Sequence, residues 1–177
     1  MEITICTATT DNELQQILDL QQKNLYNNIL ESERLSEGFV TVEHSYELLR
    51  ELNSECPHII AKFEDEVVGY ALCMHPKFSG NIEVLKPMFT EMETNFPSIK
   101  NFIVMGQICI DKQHRGKGIF RRLYLHMKKY IAPIFDIIIT EVDAQNQRSL
   151  QAHYAVGFQD LKTHGSMGRE WKLIALK

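Results

Sequence analysis

Apolar and polar residues alternate over residues 2–8 (Glu-Ile-Thr-Ile-Cys-Thr-Ala), the period of a short half-buried strand. The spacing then changes: Leu14, Ile17, Leu18 and Leu25 lie on one helical stripe, with Thr10 or Asp11 as N-cap. A polar connection containing Gly38 leads to a second helical stretch at 43–52. Residues 57–63 and 67–74 are partly alternating apolar runs on either side of Glu64-Asp65-Glu66, the pattern of an antiparallel hairpin. From 76 to 100 the pattern breaks around Pro76, Gly80, Pro87 and Pro97, with a short helix near 88–95. This segment reads as an insertion that walls a pocket. A strand at 102–110, a helix at 118–131 and a β-branched strand at 135–142 follow, and this order predicts a parallel or locally splayed pair. A short helix at 147–155 stops near Gly157 in a left-handed cap, and strands at 158–164 and 168–176 close the chain as a hairpin around Gly165 and Gly168. There are no repeats or low-complexity tracts.

With 177 residues, 44% hydrophobic and 24% charged, the chain suits one domain, 1–177, with a sizeable core. The net charge of −4 argues against general nucleic-acid binding. The basic charge is instead local, because Lys112, Arg115, Lys117, Arg121, Arg122, Lys128 and Lys129 follow one another with no acid between them. Cys6, Cys56, Cys73 and Cys109 are scattered, without a Cys-x-x-Cys pair or a metal-ligand spacing, so neither a metal nor a disulfide framework is expected. The N-terminus lacks a basic segment followed by an apolar one, and no apolar run approaches membrane-spanning length. A cytoplasmic protein with no membrane association is the expectation.

That basic cluster surrounds the stretch that carries most chemistry, Ile110-Asp-Lys-Gln-His-Arg-Gly-Lys-Gly-Ile-Phe. It joins a strand to a helix through a glycine-bearing turn. Gly116 and Gly118 allow a tight turn and close approach of a ligand. The first turn of the following helix offers N–H groups without intrahelical partners at a positive dipole end, which favours a phosphate or pyrophosphate.

Three stretches together resemble the GNAT N-acetyltransferase superfamily. The first is 110–119, similar to the family's strand end and pyrophosphate loop, Arg/Gln-x-x-Gly-x-Gly/Ala, with Arg115, Gly118 and Phe120 at the marked places. Phe120 stands where a small residue is usual. The second is 141–158, similar to an Asn-containing turn, short helix and Tyr-x-x-x-Gly-Phe ending, with Asn146, Tyr154, Gly157 and Phe158 as the matches. The third and weaker is Val67-Val-Gly-Tyr-Ala in the middle hairpin.

The resemblance implies an α/β GNAT fold: a mixed, mostly antiparallel central sheet of six to seven strands with splayed central strands, flanked by helices. It implies acetyl transfer from acetyl-CoA to a primary amine of a small molecule or peptide by direct attack on the thioester. Ile108, Cys109 and Ile110 would hold the pantetheine arm, and an amide there, Ile108 first, would polarise the thioester carbonyl. Arg115, Gly116, Lys117, Gly118, Ile119, Phe120 and Arg121 would cradle the pyrophosphate, Asn146 would contact the cofactor, and Tyr154 would protonate the departing thiolate. Many members carry a glutamate on the strand before the cradle, whereas 102–110 contains no acid. Glu141, Asp143 and His75 are the candidates for a base reached through water, and loss of the proton to water is the alternative. Cys109 reads as a core thiol rather than an acyl carrier. The acceptor site is expected from the N-terminal helices and the 76–100 insertion.

Two rivals stand beside this reading. A non-catalytic acyl-CoA sensor of the same fold would explain the missing strand acid. A dinucleotide-binding βαβ unit is partly echoed by Gly116-x-Gly118-x-x-Arg121, with Glu141 or Asp143 near the place of a ribose-binding acid, but Arg121 replaces the third glycine. A homodimer is compatible with the sequence and not specified by it.

Overall fold

Thr10 starts the first helix with a reciprocal cap: its hydroxyl accepts from the Glu13 amide (3.2 Å), and the Glu13 carboxylate accepts from the amides of Thr9 (2.9 Å) and Thr10 (3.1 Å). The structure, a computed structural model, describes residues 2–34 and 38–177. Strand β1 (Ile3–Thr7) leads through this cap to α1 (Asp11–Asn24), a short α2 (Glu31–Arg34) and α3 (Tyr46–Glu55). The predicted helix at 43–52 begins later because Ser45, not an earlier residue, accepts from the Leu48 amide (3.2 Å). Hairpin β2 (Ile59–Phe63) and β3 (Glu66–Met74) is followed by α4 (Lys86–Asn95), β4 (Phe102–Ile110), α5 (Ile119–Ile131), β5 (Ile137–Asp143), α6 (Gln147–Val156), β6 (Gln159–Ser166) and β7 (Arg169–Leu176).

The seven strands form one sheet in the order β1-β2-β3-β4-β5-β7-β6. Every neighbouring pair is antiparallel except β4 and β5, which run parallel and pair only at Phe102–Ile137, Ile103–Ile138 and Val104–Ile139. The Thr140 hydroxyl then donates to the Met105 carbonyl (2.8 Å), and beyond that bond the strands separate. Two features explain the parting, one on each strand. Its register against β3 jumps from Cys73–Met105 to Leu72–Gln107, leaving Gly106 as a bulged residue that increases local twist. Meanwhile β5 continues along β7 as far as Asp143–Trp171 and follows that strand instead.

Apolar alternation covers both faces of the sheet. Ile103, Met105 and Ile138 pack under Leu123, Tyr124 and Met127 of α5. On the other face, Ile60, Tyr70 and Leu72 meet Leu14 and Ile17 of α1, and Val104, Ile137 and Ile139 meet Met88, Phe89 and Met92 of α4. The 76–100 segment, expected to wall a pocket, instead buries Phe78, Ile82 and Leu85 as well, and it lines none of the cavities described below. Its apolar side chains are needed to cover the sheet beside β4. Among the described residues no helix is long and apolar enough to cross a membrane.

Candidate active site

The gap between β4 and β5 opens into a cavity of about 300 Å³ on the side of α5 and α6. Ile108, Cys109 and Ile110 form one wall. Gly116, Gly118, Ile119 and Phe120 form its end, Asn146, Ser149 and Ala152 its far wall, and Gly38, Phe39 and Val40 its roof.

The end of the cavity is built by local chemistry. Asp111 caps a 3-10 turn by accepting from the Gln113 amide (3.0 Å) and holds the His114 ring at 3.0 Å. Gly116 (φ +74°) and Gly118 (φ +73°) then take left-handed backbone that side chains disfavour. The space where either would carry a Cβ is open to 4 Å. Gly118 is the N-cap of α5 and supplies no side-chain cap, so helix geometry provides no partner for the first N–H groups of α5. These features fit an anionic group. Arg115 lines the cavity but works chiefly as a brace: its guanidinium donates to the Ile110 carbonyl (3.1 Å) and to Asn24 Oδ1 (2.8 Å), tying the turn to the end of α1. Lys117 and Arg121, counted with the cradle from sequence, are exposed and line neither this cavity nor the next. The alternating left-handed turn carries Lys117 outward, and Arg121 falls on the face of α5 opposite Ile119 and Leu123.

Phe120 is accommodated by aromatic packing. Its ring meets Tyr124 (5.2 Å) and His153 (5.0 Å) edge-on, and His153 meets Phe158 (5.1 Å) in the same cluster. Cys109 is 7% exposed, and burial pushes its thiol up to about 12, so it is inert as a thiolate.

Asn146 joins two parts of the site. Its Oδ1 accepts from the Ser149 amide (3.2 Å), capping α6, while Nδ2 donates to the Phe39 carbonyl (3.2 Å) and fastens the roof. Tyr154, the expected proton donor, lies elsewhere. It is 41% exposed, its hydroxyl donates to Asp160 (2.6 Å), and it lines neither this cavity nor the next. The hydrogen bond to Asp160 heads the causes that push its phenol up to about 12. The reason is register: Tyr-x-x-x-Gly-Phe places the aromatic residue four before the glycine, and Tyr154 is only three before Gly157. One residue turns a helix by about 100°. The fourth position is His153, which is 1% exposed. Its Nδ1 donates to the Ser149 carbonyl (2.7 Å), so Nε2 accepts from the Tyr124 hydroxyl (2.7 Å), and burial lowers its pKa to about 4. His153 is therefore a neutral packing residue, and Ser149 is the α6 hydroxyl on the cavity wall.

A second cavity, of about 60 Å³, lies in the same gap, bounded by Met105 to Ile108 of β4, Thr140 to Val142 of β5, and the 39–42 segment. Phe39, Val40, Ile108, Asn146 and Ser149 line both. Of the three acids and bases expected from sequence, only Glu141 lines it. Asp143 is committed to Arg169 and the Gln145 amide (2.9 Å), and His75 caps a distant turn by accepting from the Lys77 amide (3.1 Å). Glu141 bonds His164 of β6. A ribose-binding role for Glu141 does not fit this pairing, nor does the mostly antiparallel sheet fit a dinucleotide unit.

Gln107 anchors a buried network that sequence reasoning missed. Its Oε1 accepts from Gln21 (2.9 Å) and the Tyr70 hydroxyl (2.6 Å), and its Nε2 donates to the Val42 carbonyl (2.7 Å). Gln21 in turn accepts from the His44 amide (2.8 Å). The network holds the 38–44 roof onto α1 and β4. Gln21 sits on the apolar stripe of α1, four residues after Ile17 and before Leu25, and that misplaced polar side chain was the available signal.

A model of the acetyltransferase (GNAT) family matches residues 16–158. No curated protein matches the chain by sequence comparison. Solved structures share its fold: the polyamine N-acetyltransferase of Drosophila melanogaster, which forms N-acetylagmatine, aligns with a TM-score of 0.74 at 13% identity over 99% of each chain. The ribosomal-protein-S18-alanine N-acetyltransferase of Escherichia coli aligns at 0.66, with 12% identity over 99% of this chain and 93% of that one. The yncA protein of Salmonella typhimurium, solved with acetyl-CoA, aligns at 0.65, with 13% identity over 99% and 93%. The sheet order, the splayed strands, the glycine turn at the head of α5 and the family match lead to one conclusion: the chain belongs to the GNAT family of acetyltransferases, which take the acetyl group from acetyl-CoA.

Proposed function

We propose that the protein N-acetylates an amine that enters the sheet gap through the second cavity while acetyl-CoA occupies the first. One observation carries this reading: the two cavities share Ile108, Asn146 and Ser149 as walls and so meet within the gap. The turn at Gly116–Gly118 and the first amides of α5 take the pyrophosphate, and Ile108, Cys109 and Ile110 bind the arm along β4. Acetyl-CoA supplies an activated thioester, so the chain's task is to align the amine and to manage protons. The amide at Ile108 serves the carbonyl oxygen. With Tyr154 turned outward, Ser149 takes the proton-donor part toward the sulfur.

Calorimetric titration with acetyl-CoA, followed by a thiol-release assay over a panel of amines, tests the proposal. Binding with amine-dependent thiol release is expected. Binding without release by any amine would favour the non-catalytic sensor, and NAD binding without acetyl-CoA binding would favour the dinucleotide reading.

A further inference from the structure

We infer that Arg169 is a positioning residue of the cleft: stacked on Tyr26 and tied to Asp143, it seats the Phe39 ring as the wall shared by the two cavities. The inference rests on the acetyl-transfer reading above for what those cavities hold.

Five residues far apart in the chain close a circuit over the gap. The Asp143 carboxylate accepts from the Arg169 guanidinium. That guanidinium lies over the Tyr26 ring, 5.0 Å from its centroid, and the Tyr26 ring meets Phe39 edge-on at 5.0 Å. The Phe39 carbonyl accepts from Asn146 Nδ2 (3.2 Å), and the Asn146 amide donates to the Asp143 carbonyl (2.8 Å), which closes the loop. Phe39 is thus held by its carbonyl and by its ring. The backbone joins the same parts, because the Tyr26 amide donates to the Val40 carbonyl (2.9 Å) and the Val40 amide to the Asn24 carbonyl (3.0 Å).

The circuit spans both sides of the gap. Tyr26 and Phe39 follow α1, which packs on β3 and β4, whereas Asp143 ends β5 and Arg169 starts β7. The β6–β7 turn sets where Arg169 stands. Its central residues, Met167 (φ +50°) and Gly168 (φ +72°), are both left-handed, as in a two-residue type I′ turn, and Ser166 pairs with Arg169 across it. Met167 is 65% exposed, so burial of its own side chain does not offset the strain of that conformation. The tight turn instead delivers Arg169 beside Asp143 and Tyr26.

A plain hairpin staple does not explain the stack. β5 and β7 are already laddered from Ile138–Leu176 to Asp143–Trp171, and joining them needs only the Asp143 pair. The contact with Tyr26 reaches out of the sheet to the roof, where Phe39 lines both cavities. Loss of the stack frees that wall, so its effect falls on ligand affinity and on local opening of the roof.

The test compares wild type, Tyr26→Leu, Tyr26→Phe, Arg169→Met and the Tyr26→Leu/Arg169→Met double variant by acetyl-CoA calorimetry, hydrogen exchange and thermal melts. Tyr26→Leu leaves the Arg169–Asp143 pair in place, so it separates the stack from the ion pair. Tyr26→Leu and Arg169→Met should each weaken acetyl-CoA binding by at least about threefold. The double variant should lose less than the product of the two, because both remove one contact. Tyr26→Phe keeps the ring and should bind within about twofold of wild type. In Tyr26→Leu, exchange should quicken at residues 38–42 and stay unchanged in β2 and β3. Lys172→Met, which strips a bond to Thr163 (2.8 Å) from the same hairpin, should leave acetyl-CoA binding within about twofold of wild type. Tyr26→Leu binding within less than about threefold of wild type, with unchanged exchange at 38–42, would overturn the inference. So would a multiplicative double variant, a Tyr26→Phe as impaired as Tyr26→Leu, or a Lys172→Met as impaired as Arg169→Met. A wild type that binds no acetyl-CoA would instead defeat the acetyl-transfer reading, and the exchange comparison then judges the brace by itself.

Discussion

Replacing Gln107 by leucine tests whether the buried network, and not apolar packing alone, holds the cleft together. The substitution keeps the side chain's approximate volume and strips three partners: the Tyr70 hydroxyl, one N–H of Gln21 and the Val42 carbonyl. Tyr70 and Gln21 are 0% exposed, so water cannot replace the lost bonds there. At about 1 kcal/mol for each stranded group, the cost is about 3 kcal/mol, a large share of the roughly 5–15 kcal/mol of a typical domain. A domain of this size shifts by roughly 2–4 °C per kcal/mol, which puts the expected fall in Tm at about 6–12 °C. Thermal melts of Gln107→Leu, Tyr70→Phe and the double variant measure that fall, and denaturant melts the free energies. The double variant should be more stable than the sum of the singles by at least about 0.5 kcal/mol, because removing both ends of the Tyr70–Gln107 bond leaves no stranded hydroxyl, while the Gln21 N–H and the Val42 carbonyl stay unpaired in both Gln107 variants. Freed from Val42, the roof should also hold acetyl-CoA less tightly. A loss under about 1 kcal/mol with additive singles would refute the reasoning.

Other outcomes follow from the same geometry. Ser149→Ala should lower kcat by at least roughly tenfold, and Tyr154→Phe should leave it within about twofold, since only the former removes a hydroxyl from the cavity wall; the reverse order, measured by thiol release, would restore Tyr154. Gly118→Ala forces a side chain into left-handed backbone at a cost of roughly 1–2 kcal/mol, and acetyl-CoA affinity should fall about tenfold by calorimetry. For Glu13, burial works upward, but the Thr9 and Thr10 amides and Lys62 hold its carboxyl down at about 2. Its folded value lies below the unfolded one, so the stabilisation is present above about pH 4.5 and lost as pH falls toward about 2. On the order of 2 kcal/mol should vanish there from the wild type and not from Glu13→Gln, as read from melts across that range.

Local period made most of the architecture legible. The apolar run of 102–110, the helical stripe of 118–131 and the β-branched run after it define β4, α5 and β5, and the glycine turn between them follows from backbone chemistry that two residues specify. Tyr154 lies outside both cavities because Tyr-Ala-Val-Gly is one residue shorter than the motif, a helix turns that offset into a different face, and the burial of His153 agrees with the count. The network around Gln107 was illegible for another reason: its partners Gln21 and Tyr70 lie 86 and 37 residues away, and no local pattern encodes such meetings. Glu141 was visible as an acid, while its pairing with His164, 23 residues on, and its place at a strand parting beside the Gly106 bulge were not.

The three-rung parallel pairing of β4 with β5 makes the sheet two leaves stitched along a short seam. β1 to β4 form one leaf and β5, β7 and β6 the other, each laced by long antiparallel ladders. Across this seam the leaves are held mainly by α5 on one face and α4 on the other. A molecule seated in the cleft bridges both leaves where their own pairing is shortest, so occupancy of the site and cohesion of the sheet become one linked quantity.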